Sequence, residues 1–152
     1  MRCAVSEHAQ GLSPNPKPSN VTTLAGIKAV FSCGPAQAGA PVTWSMQSVN
    51  RTVDFVHEKV VVGEKELFKI NPTSQQPVYA PGVSSAKYGV VNKYYLVVQN
   101  VDIKDAAPYF CSSPNASDVT NRAYANLVVI GAFTHAMLHL LTCAVFTRAR
   151  VG

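Results

Sequence analysis

The sequence predicts an all-β domain, and three observations carry that expectation. Apolar residues alternate over short runs. Ile27, Ala29, Phe31 and Cys33 share one parity, as do Val42, Trp44 and Met46, and a period of two places each set on one side of a strand. Between the runs lie connections such as GPAQAGAP and NPTSQQPVYAPG, with the Gly, Pro and polar content of turns and loops. The stretch LVVQNVDIKDAAPYFC, residues 96–111, joins both signals. Leu96, Val98 and Val101 are spaced to face one way along a strand and into the turn after it, Tyr109 and Cys111 face one way on the next strand, and a polar corner separates them.

The order Asp105, Ala106, Tyr109, Cys111 resembles the corner between strands E and F of the immunoglobulin superfamily, where a tyrosine sits two residues before the second disulfide cysteine. The resemblance covers roughly residues 20–130 and implies a V-type immunoglobulin-like β-sandwich, two antiparallel sheets with Greek-key topology. It implies that Cys33 and Cys111 bridge the sheets and that Trp44, the only Trp in the chain, packs on the bridge with Leu96. It also implies that the Tyr109 hydroxyl bonds to backbone a few residues upstream. Lys87 stands where a basic residue commonly pairs with the corner aspartate, here Asp105; Lys in place of the more usual Arg gives up bidentate geometry. The Gly-x-Gly bulge of antigen-receptor G strands is absent. That departure argues against an antibody or T-cell receptor variable region and for a more general recognition module.

The elements follow in chain order. Residues 1–19 end in the Pro-rich SPNPKPS and read as an extended or disordered lead-in. VTTLAG is a strand broken at Gly26, IKAVFSC is strand B, and VTWSMQ is strand C. TVDFVHEKVVV and KELFKI, split by Gly63-Glu64, are expected as a C′–C″ hairpin with its turn at that dipeptide. These two strands are what favour the nine-stranded V-type over the shorter constant type. After the NPTSQQPVYAPG loop, SSAKYGVV is strand D and KYYLVVQNV strand E. Strand F ends at Cys111, the loop SSPNASDVTNR follows, and AYANLVVI is strand G. Residues 131–152 form a hydrophobic tail. Its apolar portion from Ala132 to Phe146 is short of the roughly 20 residues of a membrane helix, although Arg148 and Arg150 resemble a stop-transfer flank. A helix packed on the domain, disordered sequence, and membrane anchoring through 132–147 are all open.

A chain of 152 residues is sized for one domain. The formal charge is +5, yet residues 20–130 hold nine Lys or Arg against seven Asp or Glu. That leaves the domain a net of only +2, with the remaining +3 in the flanks, so no nucleic-acid partner is expected. The bridge implied by the resemblance belongs to an oxidising compartment. Sequons at Asn20, Asn50 and Asn115 suit the same extracellular or cell-surface setting. Cys3 and Cys143 lie outside the domain; pairing with each other, pairing between chains and free thiols are all open. Residues 1–19 hold no apolar run long enough for a signal-peptide core. The expectation is a fragment or a wrongly assigned first exon, with a cytosolic domain as the competing explanation.

Catalytic chemistry is sought and not found. His135, His139 and Cys143 fall at i, i+4 and i+8, but no fourth ligand or carboxylate accompanies them, so no metal is expected. No serine sits in a strand-to-helix elbow and no Gly-rich phosphate loop occurs; the expectation is a non-enzyme without cofactors. Binding is what is left. If Tyr109 and Cys111 point inward, Phe110 points out from strand F, and Tyr124 and Val128 point out from strand G, making a partner face. The F–G loop, with Asp118, Asn121 and Arg122, is a second candidate surface. The expected function is extracellular recognition in adhesion or immune-type binding. Its partner is another protein, such as an immunoglobulin-type domain in homophilic or heterophilic pairing, or a glycan. The rivals are the ectodomain of a small membrane-anchored receptor and a structural module of a larger, truncated protein.

Overall fold

A computed structural model of the chain describes residues 13–53, 58–114 and 120–131. Among these described residues nine strands lie in chain order: β1 Val21–Leu24, β2 Ala29–Phe31, β3 Val42–Val53, β4 Glu58–Ile70, β5 Pro77–Tyr79, β6 Tyr88–Val91, β7 Tyr95–Val98, β8 Pro108–Pro114 and β9 Thr120–Ile130. They build two sheets, β1-β9-β8-β3-β4-β5 and β2-β7-β6. All pairings are antiparallel except β1 with β9, which is parallel, Val21 lying opposite Leu127. Apart from a single turn of 3₁₀ helix at Ile103–Asp105, no helix occurs among the described residues.

Inward residues of the two sheets meet in one core. Phe31, Val42, Trp44, Phe68, Leu96, Val98, Tyr109 and Cys111 are fully buried, each at the parity that its strand turns inward. Phe31 stacks on Tyr109 at 5.1 Å between ring centroids and lies 6.2 Å from Trp44. Burying a side chain of that size contributes about 2–3 kcal/mol. The disulfide between Cys33, just past β2, and Cys111 on β8 joins the sheets with Cα atoms 6.5 Å apart. The indole does not lose its polar atom to this core, because Trp44 Nε1 donates to the carbonyl of Tyr94 at 2.8 Å.

The corner between β7 and β8 is closed by side chains on backbone. Asp102 caps the 3₁₀ turn, accepting from the Ile103 N–H at 2.6 Å. Tyr109 donates its hydroxyl to the Asp105 carbonyl at 2.9 Å. Asp105 is buried, and its carboxylate accepts from the Asp102 N–H at 2.7 Å and from Lys87 Nζ. Lys87 also donates to the Asn100 carbonyl at 2.9 Å, so strand D is tied to the corner through one ammonium.

Four expectations need correction. Strand F does not end at Cys111: β8 runs on to Pro114 and β9 begins at Thr120, with Ser112 opposite Arg122 and Ser113 opposite Asn121, so Asn121 and Arg122 stand on a strand and not in the F–G loop. The turn expected at Gly63-Glu64 is absent: β4 runs straight through, with Gly63 opposite Ser48 and Glu64 opposite Gln47. A methyl group at Gly63 would stand 3.1 Å from the Ser48 hydroxyl, so the glycine admits a close cross-strand neighbour and makes no turn. Strand β3 therefore continues to Val53, and the connection falls in residues outside the described set. The outermost strand next to β4 is β5, Pro77–Tyr79, pairing with Phe68–Ile70, inside a stretch expected to be loop. Pro77 is tolerated because it opens an edge strand, where a missing N–H costs no ladder bond. Lastly, Ile27 does not share the inward face of β2 and is 54 % exposed. Gly26 turns the chain at φ +86°, and reciprocal backbone bonds from Gly26 to Val101 and from Val101 to Ile27 hold that segment at the rim.

The segment before β1 is packed onto the body. Pro14 and Pro18 are buried, the Ser32 hydroxyl donates to the Lys17 carbonyl at 3.1 Å, and the Asn15 carbonyl lies over Gly34 where any Cβ would collide.

Candidate functional site

The alternation that buries Tyr109 and Cys111 turns Phe110 and Ser112 to the outer face of the six-stranded sheet. Register then fixes their neighbours. Phe110 lies opposite Ser45 on β3 and Tyr124 on β9, while Ser112 lies opposite Thr43 and Arg122. The Phe110 and Tyr124 rings are 6.3 Å apart and tilted at 48°. Tyr124 is 65 % exposed and Val128, two positions further down the same side of β9, is 49 % exposed.

A polar bridge crosses this face. Arg122 reaches from β9 over β8 and β3 to Glu64 on β4, with Nη2 2.7 Å from Oε2. Its guanidinium passes 4.3 Å above the centroid of Phe110, within cation–π range. Ser45, nearly buried beneath, donates its hydroxyl to the other carboxylate oxygen. That hydrogen bond, followed by Arg122, holds the Glu64 carboxyl below its ordinary value against the opposing effect of partial burial. The face thus has an aromatic centre capped by a cation, and a shallow depression beside it lined by Thr43, Ser45, Lys69 and Ser112.

The residues singled out in the sequence separate accordingly. Phe110, Tyr124, Val128 and Arg122 come together on one sheet face. Asn121 is half-buried on β9, its Nδ2 without a hydrogen-bond partner among the described residues. Asp118 and Asn115 lie outside the described residues, as do Cys3, His135, His139, Cys143 and the tail, and so does the side chain of Asn50. Asn20 is exposed at the head of β1. Glu64 and Ser45 are not among the residues the sequence singles out: Gly63-Glu64 has the composition of a turn, and the outward parity of Ser45 carries no sign that an acid sits above it. The alternation of Glu64 and Glu66 was the available signal.

This arrangement offers an exposed aromatic pair and a guanidinium already paired with a carboxylate. Ser45 donates to the Glu64 carboxylate, but that carboxylate is also engaged by Arg122 and held below its ordinary value, which makes it a weak acceptor for the serine proton. Among the described residues no group of three His, Cys, Asp or Glu is placed to hold a metal ion, and no helix is long and apolar enough to cross a membrane.

No protein-family model and no curated protein matches the chain. Solved structures do. The chain is similar to a marsupial T cell receptor at 19% identity and TM-score 0.54, over 78% of this chain and 51% of that one, so it spans about half the receptor chain's length. It is similar to the Ig1 domain of mouse SynCAM 2 at 18% identity and TM-score 0.57, over 81% of this chain and 100% of that one. The two sheets, their strand order, the inter-sheet disulfide with its tryptophan and the tyrosine-held corner together make this fold a V-type immunoglobulin-like domain.

Proposed function

We propose that this chain is an extracellular, non-catalytic recognition module that binds a second protein through the outer face of its six-stranded sheet. The observation that carries the reading is the cluster of Phe110, Tyr124 and Arg122 at the middle of that face. Tyr and Arg are over-represented among residues that dominate binding energy, above all where they surround a buried anchor on a flat surface. Phe110 is such an anchor, already half-covered by its neighbours. Arg122 and Glu64 satisfy one another, so they orient a partner and cost little desolvation beyond their own. A glycan ligand, also expected from the sequence, is a poorer match for the same reason: the charged groups here are turned toward each other. The inter-sheet disulfide supports an oxidising, extracellular location. The receptor and SynCAM domains similar to this chain support recognition as the class of work.

Another immunoglobulin-type domain, including a second copy of this chain, is the partner proposed. Sedimentation velocity on the parent, Phe110→Asp and Tyr124→Ala tests it. The parent is expected to associate with concentration, and each variant to weaken that association about tenfold or more with an unchanged near-ultraviolet circular dichroism spectrum. Identical sedimentation of all three would overturn the homophilic reading. Loss of the folded spectrum in Phe110→Asp would overturn the assignment of the outer face.

A further inference from the structure

The two outer strands of the six-stranded sheet are protected unequally. β5 begins with Pro77, which discourages another strand from pairing with it. β1, at the other margin, is VTTL: uncharged, rich in strand-forming residues, with no proline, and with Leu24 52 % exposed. Among the described residues its far side has no strand neighbour. An edge of that composition invites pairing with another chain unless something covers it.

The sequence supplies a cover at the head of this strand. Asn20, Val21 and Thr22 form an Asn-x-Thr triplet. Asn20 is exposed, and its Oδ1 accepts from the backbone N–H of Asn126 on β9 at 2.9 Å. The bond fixes the amide with its oxygen toward the sheet, which turns Nδ2, the atom a sugar would take, away from β9. Thr22, two residues on, is exposed as well, so the hydroxyl the triplet requires is not spent on the core. A substituent on Nδ2 leaves the bond to Asn126 in place.

We propose that Asn20 carries an N-linked glycan and that this sugar shields the open margin of β1, directing association to the Phe110 face. The transfer takes an oligosaccharide from a polyprenyl diphosphate donor. A bond forms between Nδ2 and C1 of the first sugar, the C1–O bond to the diphosphate breaks, and the carrier diphosphate leaves with the bonding pair. The amide proton displaced from Nδ2 passes to a base of the transferase. The inference rests on the extracellular location proposed above, since the donor and the transferase belong to the secretory route.

The test is glycopeptide mapping of the full chain secreted from mammalian cells behind a heterologous leader. The parent and Thr22→Ser are expected to carry sugar at Asn20, released by an amidase that converts the residue to aspartate. Thr22→Ala is expected to lack the sugar while keeping the Asn20 side chain and its bond to β9. A secreted, disulfide-bonded parent with Asn20 unmodified overturns the modification, and leaves the face reading standing because Phe110→Asp probes that separately. For the shielding, Thr22→Ala is expected to form larger species that the added Phe110→Asp change does not dissolve. A Thr22→Ala chain that sediments as the parent does at every concentration overturns that half.

Discussion

Tyr109 holds the β7–β8 corner with one oxygen. Its hydroxyl donates to the Asp105 carbonyl, and burial, aided by the neighbouring Tyr88 and Asp105, pushes the phenol far above its ordinary value, which favours the protonated donor. Tyr109→Phe keeps the ring stack on Phe31 and leaves a buried carbonyl unpaired; a loss of about 1–2 kcal/mol in urea unfolding is expected. Glu64 gives a prediction with a sign. Its folded carboxyl is held low by Ser45 first and Arg122 second, so its contribution is complete above the ordinary glutamate range and is lost as pH falls through the lowered folded value. The group is partly exposed, so solvent screening limits the effect to about 0.5 kcal/mol. Melting parent and Glu64→Gln across acidic pH should show the parent's advantage at neutrality and its disappearance in acid. The corner was legible in the sequence because Asp105, Tyr109 and Cys111 lie within seven residues. The Arg122–Glu64 bridge was not, because 58 positions separate its members and only the strand order brings them within reach.

Among the elements, turns were read less well than strands. Alternation located β2, β8 and β9 because each buries one parity against the opposite sheet, and it located β3 and β7 through Val42, Trp44, Leu96 and Val98 although Ser45 and Val97, at the other parity, are buried too. It failed where the chain leaves the core. In the outer part of β3 and β4, Val49, Val60, Val61 and Val62 are all exposed, so no buried parity marks the register and a glycine was mistaken for a turn. Similarly β5 hid behind its proline. True turn glycines have a different signature: Gly26 sits at φ +86° with open space around it. Gly26→Ala is expected to cost about 1 kcal/mol through backbone strain alone, whereas Gly63→Ala, in extended backbone beside a hydroxyl that must shift slightly, should cost less. Thermal melts of the two variants side by side check the ordering.

Across the molecule, the disulfide closes a loop of 78 residues between the sheets. The double variant Cys33→Ala/Cys111→Ala is expected to lose about 3–5 kcal/mol of stability, measured by denaturant unfolding against the oxidised parent, because the hydrophobic layers alone must then hold the chain ends of that loop together. The sequence showed the bridge through its resemblance, and the core through its parity. It did not show that residues 14–18 pack beside Gly34, since prolines in a polar run give no period to read.

The parallel pairing of β1 and β9 has a mechanical consequence. The chain enters β1 at Val21 and leaves β9 at Ile130, and these residues lie at opposite ends of the four-residue ladder. Tension applied between the two flanks of the domain would slide one strand along the other, loading every rung at once, where an antiparallel hairpin pulled at its open end would unzip rung by rung. A module tethered at both flanks would hold its shape under load up to the force that shears this short ladder.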